Sequence, residues 1–247
     1  MNSETFKLVI SYDGTAYHGW QRQRSERTIQ GEIEKALSTM TGEPVKLAGS
    51  GRTDAGVHAI GQVASFKSSA GLSPKIYAKG LNSLLPADIL IKACESASPN
   101  FHARYDAKSK IYQYRILNRD MPSIMKRHYV WHIKRALDVA AMKGAAAQIV
   151  GQHDFKAFEG SGSPRSSTIR NVVRADVTRP VQDCVLFTIQ ADGFLRFMVR
   201  NIVGTLVDVG SGTTAVNDIQ AILLSKDRYL AGATAPARGL FLVEVLY

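Results

Sequence analysis

One segment of the 247-residue chain places a carboxylate, a cation and two glycines within eight residues: GRTDAGVH, residues 51–58. Asp54 could act as a nucleophile or a base, and Arg52 could bind an anion beside it. The ordinary alternative is a turn, in which an aspartate accepts backbone N–H bonds and glycine supplies a positive φ. The segment joins two predicted strands, a position where a rigid scaffold often presents catalytic residues. Both interpretations stay open.

A second segment, residues 13–24, interleaves aromatic and basic side chains: DGTAYHGWQRQR. This composition suits a loop that stacks on bases while it holds phosphates. The alternative is a solvated loop with one anchoring tryptophan, Trp20. The sequence does not decide between them.

A third candidate is Arg200, in the apolar segment that runs from Phe194 to Val209. Helical spacing places apolar residues on both sides of this predicted helix, so it should be largely buried. A buried arginine needs an anionic partner, and Asp54 is a candidate that would thereby be kept ionised. Alternatively, Arg200 extends to solvent or caps a backbone carbonyl.

Common catalytic signatures are absent, among them GxSxG, HExxH, GxxxxGK[ST] and GxGxxG. His128 and His132 are spaced for one helix face, but no third metal ligand is near them in sequence. The two cysteines, Cys94 and Cys184, are far apart and form no CxxC pair. We therefore expect no metal, no cofactor and no disulfide framework.

The charge balance favours a polyanionic partner. Lys and Arg number 31 against 21 Asp and Glu, which gives a net charge of +10. Nucleic acid, an anionic membrane or an acidic protein would all fit this charge. The chain shows no secretory signal and no apolar run of the roughly 18 residues that a membrane span needs. We expect a cytoplasmic protein with no membrane partner.

The periodicity of apolar residues predicts the elements that position these segments. Residues 1–104 follow the order β-α-β-β-α-β, with helices from Thr28 to Gly42 and from Ser73 to Leu84. A weaker version of the same order follows in residues 105–247, including a strand from Ile111 to Leu117. The predicted fold is α+β, with two tandem ferredoxin-like (RRM-like) halves. Their sheets should be mixed and mainly antiparallel, with helices on one side and an active-site cleft between the halves.

Several short motifs, taken together, resemble the TruA family of tRNA pseudouridine synthases, and the resemblance runs essentially end to end. A lone Arg-x-Asp would carry no such weight. The motifs are YDGTAYHGWQRQ (residues 12–23), GRTDAGVHA (51–59), FHAR (101–104), the Tyr-x-Tyr of 112–114, FMVRNIVG (197–204) and TAPARGL (234–240).

The resemblance implies an enzyme that isomerises uridine to pseudouridine at positions 38, 39 and 40 in the anticodon stem-loop of tRNA. It implies that Asp54 is the catalytic carboxylate and that Arg200 is its ion-pair partner. It also implies that Tyr112 packs on the target base, that Arg52 fills the space left by the flipped nucleotide, and that Leu240 lines the uracil pocket. Homodimerisation and the absence of a cofactor are implied as well.

Two other functions remain as alternatives. The protein could be a non-catalytic RNA-binding protein in which GRTDAG is only a turn. It could also be a metal-independent hydrolase that uses Asp54, in which case free uracil would be released. The reaction mechanism also stays open, since Asp54 could attack C1′ of the ribose or remove the C2′ proton to give a glycal.

Overall fold

The computed structural model describes residues 3–162 and 166–247. The chain divides into two compact units. Unit 1 contains residues 1–108 and 241–247, and unit 2 contains residues 109–240. The described residues form a mixed α+β structure in which most strand pairs are antiparallel.

Unit 1 begins with six elements in the predicted order. They are β1 (Glu4–Tyr12), α1 (Ile29–Thr41), β2 (Ala48–Gly49), β3 (His58–Ser68), α2 (Pro74–Leu84) and β4 (Ile89–Ala97). Strand β1 is central, because it pairs antiparallel with both β3 and β4, while β2 pairs with β3 over only two residues.

The local sequence explains where the elements of unit 1 begin and end. Side chains alternate along β1, so that Phe6, Leu8 and Ile10 are buried and pack into the core beneath the helices. Helix α1 begins after Thr28, whose hydroxyl accepts from the Gly31 N–H, and it ends at Gly42 in the left-handed region (φ +75°). Both predicted ends of this helix are confirmed.

Unit 2 contains the next eight strands and helices. They are β5 (Ser109–Asn118), β6 (Trp131–Ile133), α3 (Val139–Ala147), β7 (Gly151–Asp154), β8 (Ile169–Val181), β9 (Cys184–Ala191), α4 (Met198–Gly210) and α5 (Asp218–Ser225). Strand β9 pairs antiparallel with β5 on one side and β8 on the other. The Gly- and Ser-rich composition of residues 160–168 predicts a mobile surface loop, and residues 163–165 of that segment lie outside the described residues.

Strand β10 (Leu240–Leu246) extends into unit 1. Phe241 and Leu242 pair in parallel with His58 and Ala59 of β3. Gly61 allows the close approach, since a Cβ there would lie 2.5 Å from the Val243 carbonyl oxygen. The two predicted domains, residues 1–104 and 105–247, stay a prediction. The compact units divide after Lys108, and residues 241–247 belong with unit 1.

Candidate active site

The segment around Asp54 is a turn that connects β2 to β3. The Val57 N–H donates to the Asp54 carbonyl oxygen at 3.1 Å, and Gly56 takes φ +75°, as the third residue of a type II turn requires. The side chain of Asp54 is half-buried at this turn. The backbone is therefore the turn that the sequence allowed, and the same turn leaves the carboxylate in partial contact with solvent.

The turn rests directly on the backbone of residues 13–20. A Cβ at Gly14 would lie 2.0 Å from the Val57 carbonyl oxygen, and a Cβ at Gly19 (φ +90°) would lie 2.6 Å from the Thr53 carbonyl oxygen. The Trp20 N–H donates to that same Thr53 oxygen at 3.1 Å. Two glycines thus allow one loop to fix the position of the other.

The aromatic residues of this supporting loop are structural. Tyr17 and Trp20 are each only 2% exposed, so neither ring is available to stack on a base. Trp20 packs against the backbone at Gly49, where a Cβ would lie 2.5 Å from the indole nitrogen. The interpretation of this segment as a base-stacking loop is therefore wrong for these two side chains, and the alternative of an anchoring Trp20 is confirmed.

Tyr17 is held in place by a hydrogen bond and by a cation. Its hydroxyl donates to the Asp88 carboxylate, and the Arg27 guanidinium lies over its ring at 4.6 Å. Burial, followed by the hydrogen bond to Asp88 and then by the negative charge of Asp88, raises the pKa of Tyr17 well above its ordinary value. Its hydroxyl therefore stays protonated and keeps donating at neutral pH.

Arg52 and His58 flank the turn on its two sides. Arg52 is exposed, and its Nε donates to the side-chain oxygen of Gln21 at 2.9 Å, so it links the turn to the supporting loop. His58 is 1% exposed and stacks on Phe241 with ring centroids 4.7 Å apart. Its Nδ1 accepts from the Gly14 N–H at 3.1 Å. No role for His58 is predicted from the sequence, and its position shows that it fixes the end of the turn.

In unit 2, Arg200 lies in the first turn of α4 and is half-buried. Its Nε donates to the Ala235 carbonyl oxygen at 2.7 Å, and the Ala235 N–H donates back to the Arg200 carbonyl oxygen at 3.1 Å. The alternative that Arg200 caps a carbonyl is therefore observed. Gly204 makes the contact between α4 and this segment possible, because a Cβ there would lie 1.7 Å from the Ala233 carbonyl oxygen.

The residue before α4, Phe197, has an unusual backbone conformation. It takes φ +61°, which is costly for a side chain other than glycine. Its ring lies beside two guanidinium groups, at 4.9 Å from Arg200 and 4.7 Å from Arg196. This conformation starts α4 at Met198 rather than at the predicted Phe194, so Arg196 is not on the helix. No signal in the sequence identifies a phenylalanine in this conformation.

A polar network supports the same end of α4. Asn201 is fully buried, and its side-chain oxygen accepts from Arg228 at 3.0 Å and from the Thr234 hydroxyl at 2.6 Å. Its amide nitrogen donates to the Phe158 carbonyl oxygen at 2.8 Å. The segment around Thr234 is thus fixed to α4 through Arg200 and Asn201 together. Neither Asn201 nor Arg228 is among the residues predicted from the sequence.

Tyr112 and Leu240 are both buried in unit 2. Tyr112, on β5, is 7% exposed and meets Phe194 edge to face at 4.9 Å between ring centroids. Leu240 is 5% exposed at the start of β10. Nearby on β5, the Tyr114 hydroxyl donates to the Pro236 carbonyl oxygen at 2.7 Å, and burial raises the pKa of Tyr114 well above its ordinary value. Of the predicted site residues, Arg52 and Asp54 therefore belong to unit 1, and the other three belong to unit 2.

Neither a metal cluster nor a membrane span is found in the part of the chain that the structure describes. Residues 3–162 and 166–247 contain no group of three His, Cys, Asp or Glu side chains arranged to hold a metal ion. His132 uses its Nε2 to donate to the Arg119 carbonyl oxygen at 2.7 Å, an ordinary structural contact. No helix in these same residues is long and apolar enough to cross a membrane.

Comparison with known proteins gives a consistent result along nearly the whole chain. A protein-family model described as tRNA pseudouridine synthase matches residues 8–106 and 145–247. The tRNA pseudouridine synthase A of Acetivibrio thermocellus is 47% identical over 241 residues, which cover 98% of each chain. The protein of the same name from Thermoanaerobacter sp. strain X514 is 46% identical, over 97% of this chain and 98% of its own.

Similarity to solved structures is low. A chain from the structure of an H/ACA RNP bound to a substrate RNA containing 2′-deoxyuridine aligns at a TM-score of 0.35 with 15% identity. The alignment covers 82% of this chain and 44% of the other.

Proposed function

This chain belongs to the tRNA pseudouridine synthase family and is an enzyme that isomerises uridine to pseudouridine in tRNA; we propose that it acts at positions 38, 39 and 40 of the anticodon stem-loop, with Asp54 as the catalytic carboxylate. The observation that carries the proposal is the 47% identity to a tRNA pseudouridine synthase A across 98% of both chains. The net charge of +10 is consistent with a polyanionic substrate.

The reaction breaks the bond between C1′ of the ribose and N1 of uracil, turns the base over, and joins C1′ to C5. The proton on C5 is then lost and N1 is protonated, so the product has the mass of the substrate. Positive charge develops at C1′ when the first bond breaks, and a carboxylate beside it stabilises that charge or traps it covalently. Removal of the C2′ proton by the same carboxylate is the other route. Either route needs one ionised carboxylate and no metal-activated water.

The position of Asp54 in its own unit suits this role. Asp54 is half-buried, and the backbone contacts at Gly14 and Gly19 fix the position of its turn on the supporting loop. A base must leave its stack to reach such a group, which costs a few kcal/mol. Arg52, which is exposed beside the turn, is proposed to occupy the space that the nucleotide leaves.

The remaining roles are assigned to residues of unit 2. We assign Arg200 as the cation that keeps the carboxylate of Asp54 ionised, Tyr112 as the residue that packs on the uracil, and Leu240 as part of the base pocket. Support for Arg200 comes from the number of contacts that orient it, namely the Ala235 carbonyl and the Phe197 ring. An arginine oriented this firmly is suited to a single electrostatic task.

Three wider proposals follow from the family. Each half of the chain is proposed to be ferredoxin-like, with the active site in the cleft between the halves; in unit 1 the support is the element order and the pairing of β1 with both β3 and β4. The enzyme is proposed to work in the cytoplasm and as a homodimer. Light scattering checks the last point, and a mass near the 27.0 kDa of one chain would contradict it.

The test of the function compares wild type with Asp54→Ala and Asp54→Asn. Each protein is incubated with unmodified tRNA labelled with tritium at C5 of uridine, and tritium release and the modified sites are measured. We expect wild type to form pseudouridine at positions 38 to 40, and both variants to bind tRNA but to release no tritium. Glu95→Gln, a change at the exposed carboxylate that pairs with Lys7 at 3.7 Å, is the control and should keep full activity.

Each alternative has its own outcome in this experiment. Free uracil in the wild-type products would show a hydrolase, and tight binding by wild type without tritium release would show a non-catalytic RNA-binding protein. Product from pure Asp54→Ala protein would refute the assignment of the carboxylate. In the same assay, Arg200→Leu should lose activity while its melting temperature stays near that of wild type. Wild-type turnover by that variant would refute the role of Arg200.

A further inference from the structure

A pocket lies in unit 2, where the segment from residue 122 to residue 132, which leads into β6, meets Arg238. It has a volume of about 220 Å³ and opens at the protein surface. None of its residues has a role in the proposed chemistry. Its lining consists of Pro122, Ser123, Arg127, Val130, His132 and Arg238. We call it the 127/238 pocket.

Backbone carbonyls orient both arginines of the 127/238 pocket. The Arg127 Nη1 donates to the Ile124 carbonyl oxygen at 2.8 Å, and the Arg238 Nε donates to the Val130 carbonyl oxygen at 3.2 Å. A guanidinium carries five N–H donors, so one carbonyl fixes its direction and most donors remain for a ligand. Two guanidinium groups oriented in this way present planar sets of donors, which the ammonium groups of two lysines would not provide.

The charge of the 127/238 pocket selects an anion. Its lining contains two arginines, a histidine and a serine hydroxyl, and no Asp or Glu. The surrounding segment is basic as well, since Lys126, Lys134 and Arg135 lie within a few residues. Planar guanidinium groups match the oxygen spacing of phosphate, which they bind through paired N–H donors. The ligand chemistry that fits is therefore a phosphate group.

The surroundings of the pocket favour a phosphate that belongs to a polynucleotide. Met121, Ile124 and Met125 stand on or next to the same segment and are 70% to 84% exposed. A free inorganic phosphate would leave these apolar side chains in water, whereas the sugars and bases beside a backbone phosphate would cover them. The combination of fixed cations and exposed apolar side chains suits RNA.

We propose that the 127/238 pocket binds a backbone phosphate of the tRNA substrate. This proposal rests on the proposed function for the identity of the RNA. A phosphate contact of this kind positions the substrate and carries no sequence information. The pocket would thus contribute to the affinity for every tRNA to a similar degree.

The test replaces Arg127 by Gln and compares it with Arg119→Gln. Arg119 lies just before the same segment and loses the same charge, but it does not line the pocket and pairs with Asp183 at 3.3 Å. Binding of unmodified tRNA is measured by fluorescence anisotropy at several salt concentrations. We expect Arg127→Gln to raise Kd on the order of 5- to 10-fold and to reduce the slope of log K against log salt by about one. Arg119→Gln should change Kd less than about twofold, and Arg127→Lys should keep the wild-type slope.

The outcomes separate this proposal from the proposed function. Equal Kd values and slopes for Arg127→Gln and Arg119→Gln, in a wild type that forms pseudouridine, would overturn the pocket and leave the function intact. A wild type that forms no pseudouridine, together with the expected loss of affinity in Arg127→Gln alone, would overturn the function and support the pocket as an RNA site. Melting temperatures confirm that each variant is folded, which is expected because Arg127 is exposed.

Discussion

Replacement of Gly19 by Ala tests whether the supporting loop fixes the position of the turn around Asp54. An alanine at this position would destabilise the folded protein in two ways. Gly19 takes φ +90°, and an added Cβ would lie 2.6 Å from the Thr53 carbonyl oxygen, one residue before Asp54. Gly42 provides the matched control, because it takes φ +75° and a Cβ there would meet nothing within 4 Å.

The free energies of unfolding of Gly19→Ala and Gly42→Ala should differ only by the effect of the close contact with the Thr53 oxygen. A positive φ destabilises an alanine in the folded state by roughly 1 to 2 kcal/mol. Alanine also restricts the unfolded chain, which stabilises the protein by about 0.4 to 1 kcal/mol. The free energy of unfolding of Gly42→Ala should therefore fall by about 1 kcal/mol. In Gly19→Ala the Thr53 oxygen must also retreat from 2.6 Å to at least 3.4 Å, an ordinary contact distance. Such overpacking adds about 1 to 3 kcal/mol. The shift of about 0.8 Å carries Asp54 with it, and misplacement on this scale costs on the order of 100-fold in rate.

Tritium release from uridine-labelled tRNA gives kcat, and urea denaturation gives the free energy of unfolding. We expect Gly19→Ala to lose about two orders of magnitude in kcat at a temperature where it is fully folded, while Gly42→Ala keeps the wild-type kcat. The affinity for tRNA should change little in either variant. If Gly19→Ala is folded and its kcat lies within twofold of the control, then either the loop does not position the turn or Asp54 is not the reacting group.

Two further predictions concern buried aromatic residues. Trp20→Ala removes a ring that is 2% exposed, so it should cost about 3 to 5 kcal/mol of stability in urea denaturation; unchanged stability with weakened tRNA binding would restore the base-stacking interpretation. Tyr114→Phe removes the hydrogen bond to the Pro236 carbonyl and should cost about 1 kcal/mol at neutral pH. Because burial raises the pKa of Tyr114 above 10.0, its stabilising contribution is complete below pH 10 and declines as the pH rises further. The melting temperature of wild type should therefore fall more steeply between pH 9 and 11 than that of Tyr114→Phe, and equal slopes would contradict this reasoning.

Elements with strong local signals could be predicted from the sequence. Thr28 and Gly42 mark the two ends of α1 because a hydroxyl cap and a left-handed glycine act within one turn of the helix. The Ala-rich pattern from Ala136 to Val150 predicts one helix over that range, but α3 covers only Val139–Ala147, since Asp138 caps its first turn. Residues 45–48 have the pattern of a short strand, but only Ala48–Gly49 pair with β3. The ends of a strand depend on its pairing with a neighbouring strand, so the pattern of residues along one strand does not predict them.

In the candidate site, too, residues that belong to short motifs could be predicted from the sequence, whereas features that depend on tertiary contacts could not. Asp54, Arg52 and Arg200 could be singled out because their neighbours form short, specific motifs. The burial of Trp20 could not, since it depends on contact with the backbone at Gly49, which is distant in sequence. The left-handed conformation of Phe197 is equally hidden, because it is stabilised by surrounding structure against its own preference.

The pairing of residues 241–247 with β3 makes unit 1 discontinuous along the chain. During synthesis, a ribosome must therefore translate all of unit 2 before the strand that completes unit 1 emerges. Until then, the edge of β3 beside His58 and Ala59 lacks its parallel neighbour, and the Lys108 N–H lacks the Leu246 carbonyl oxygen that accepts from it. The turn around Asp54 is thus synthesised long before the strand that completes the sheet beside it.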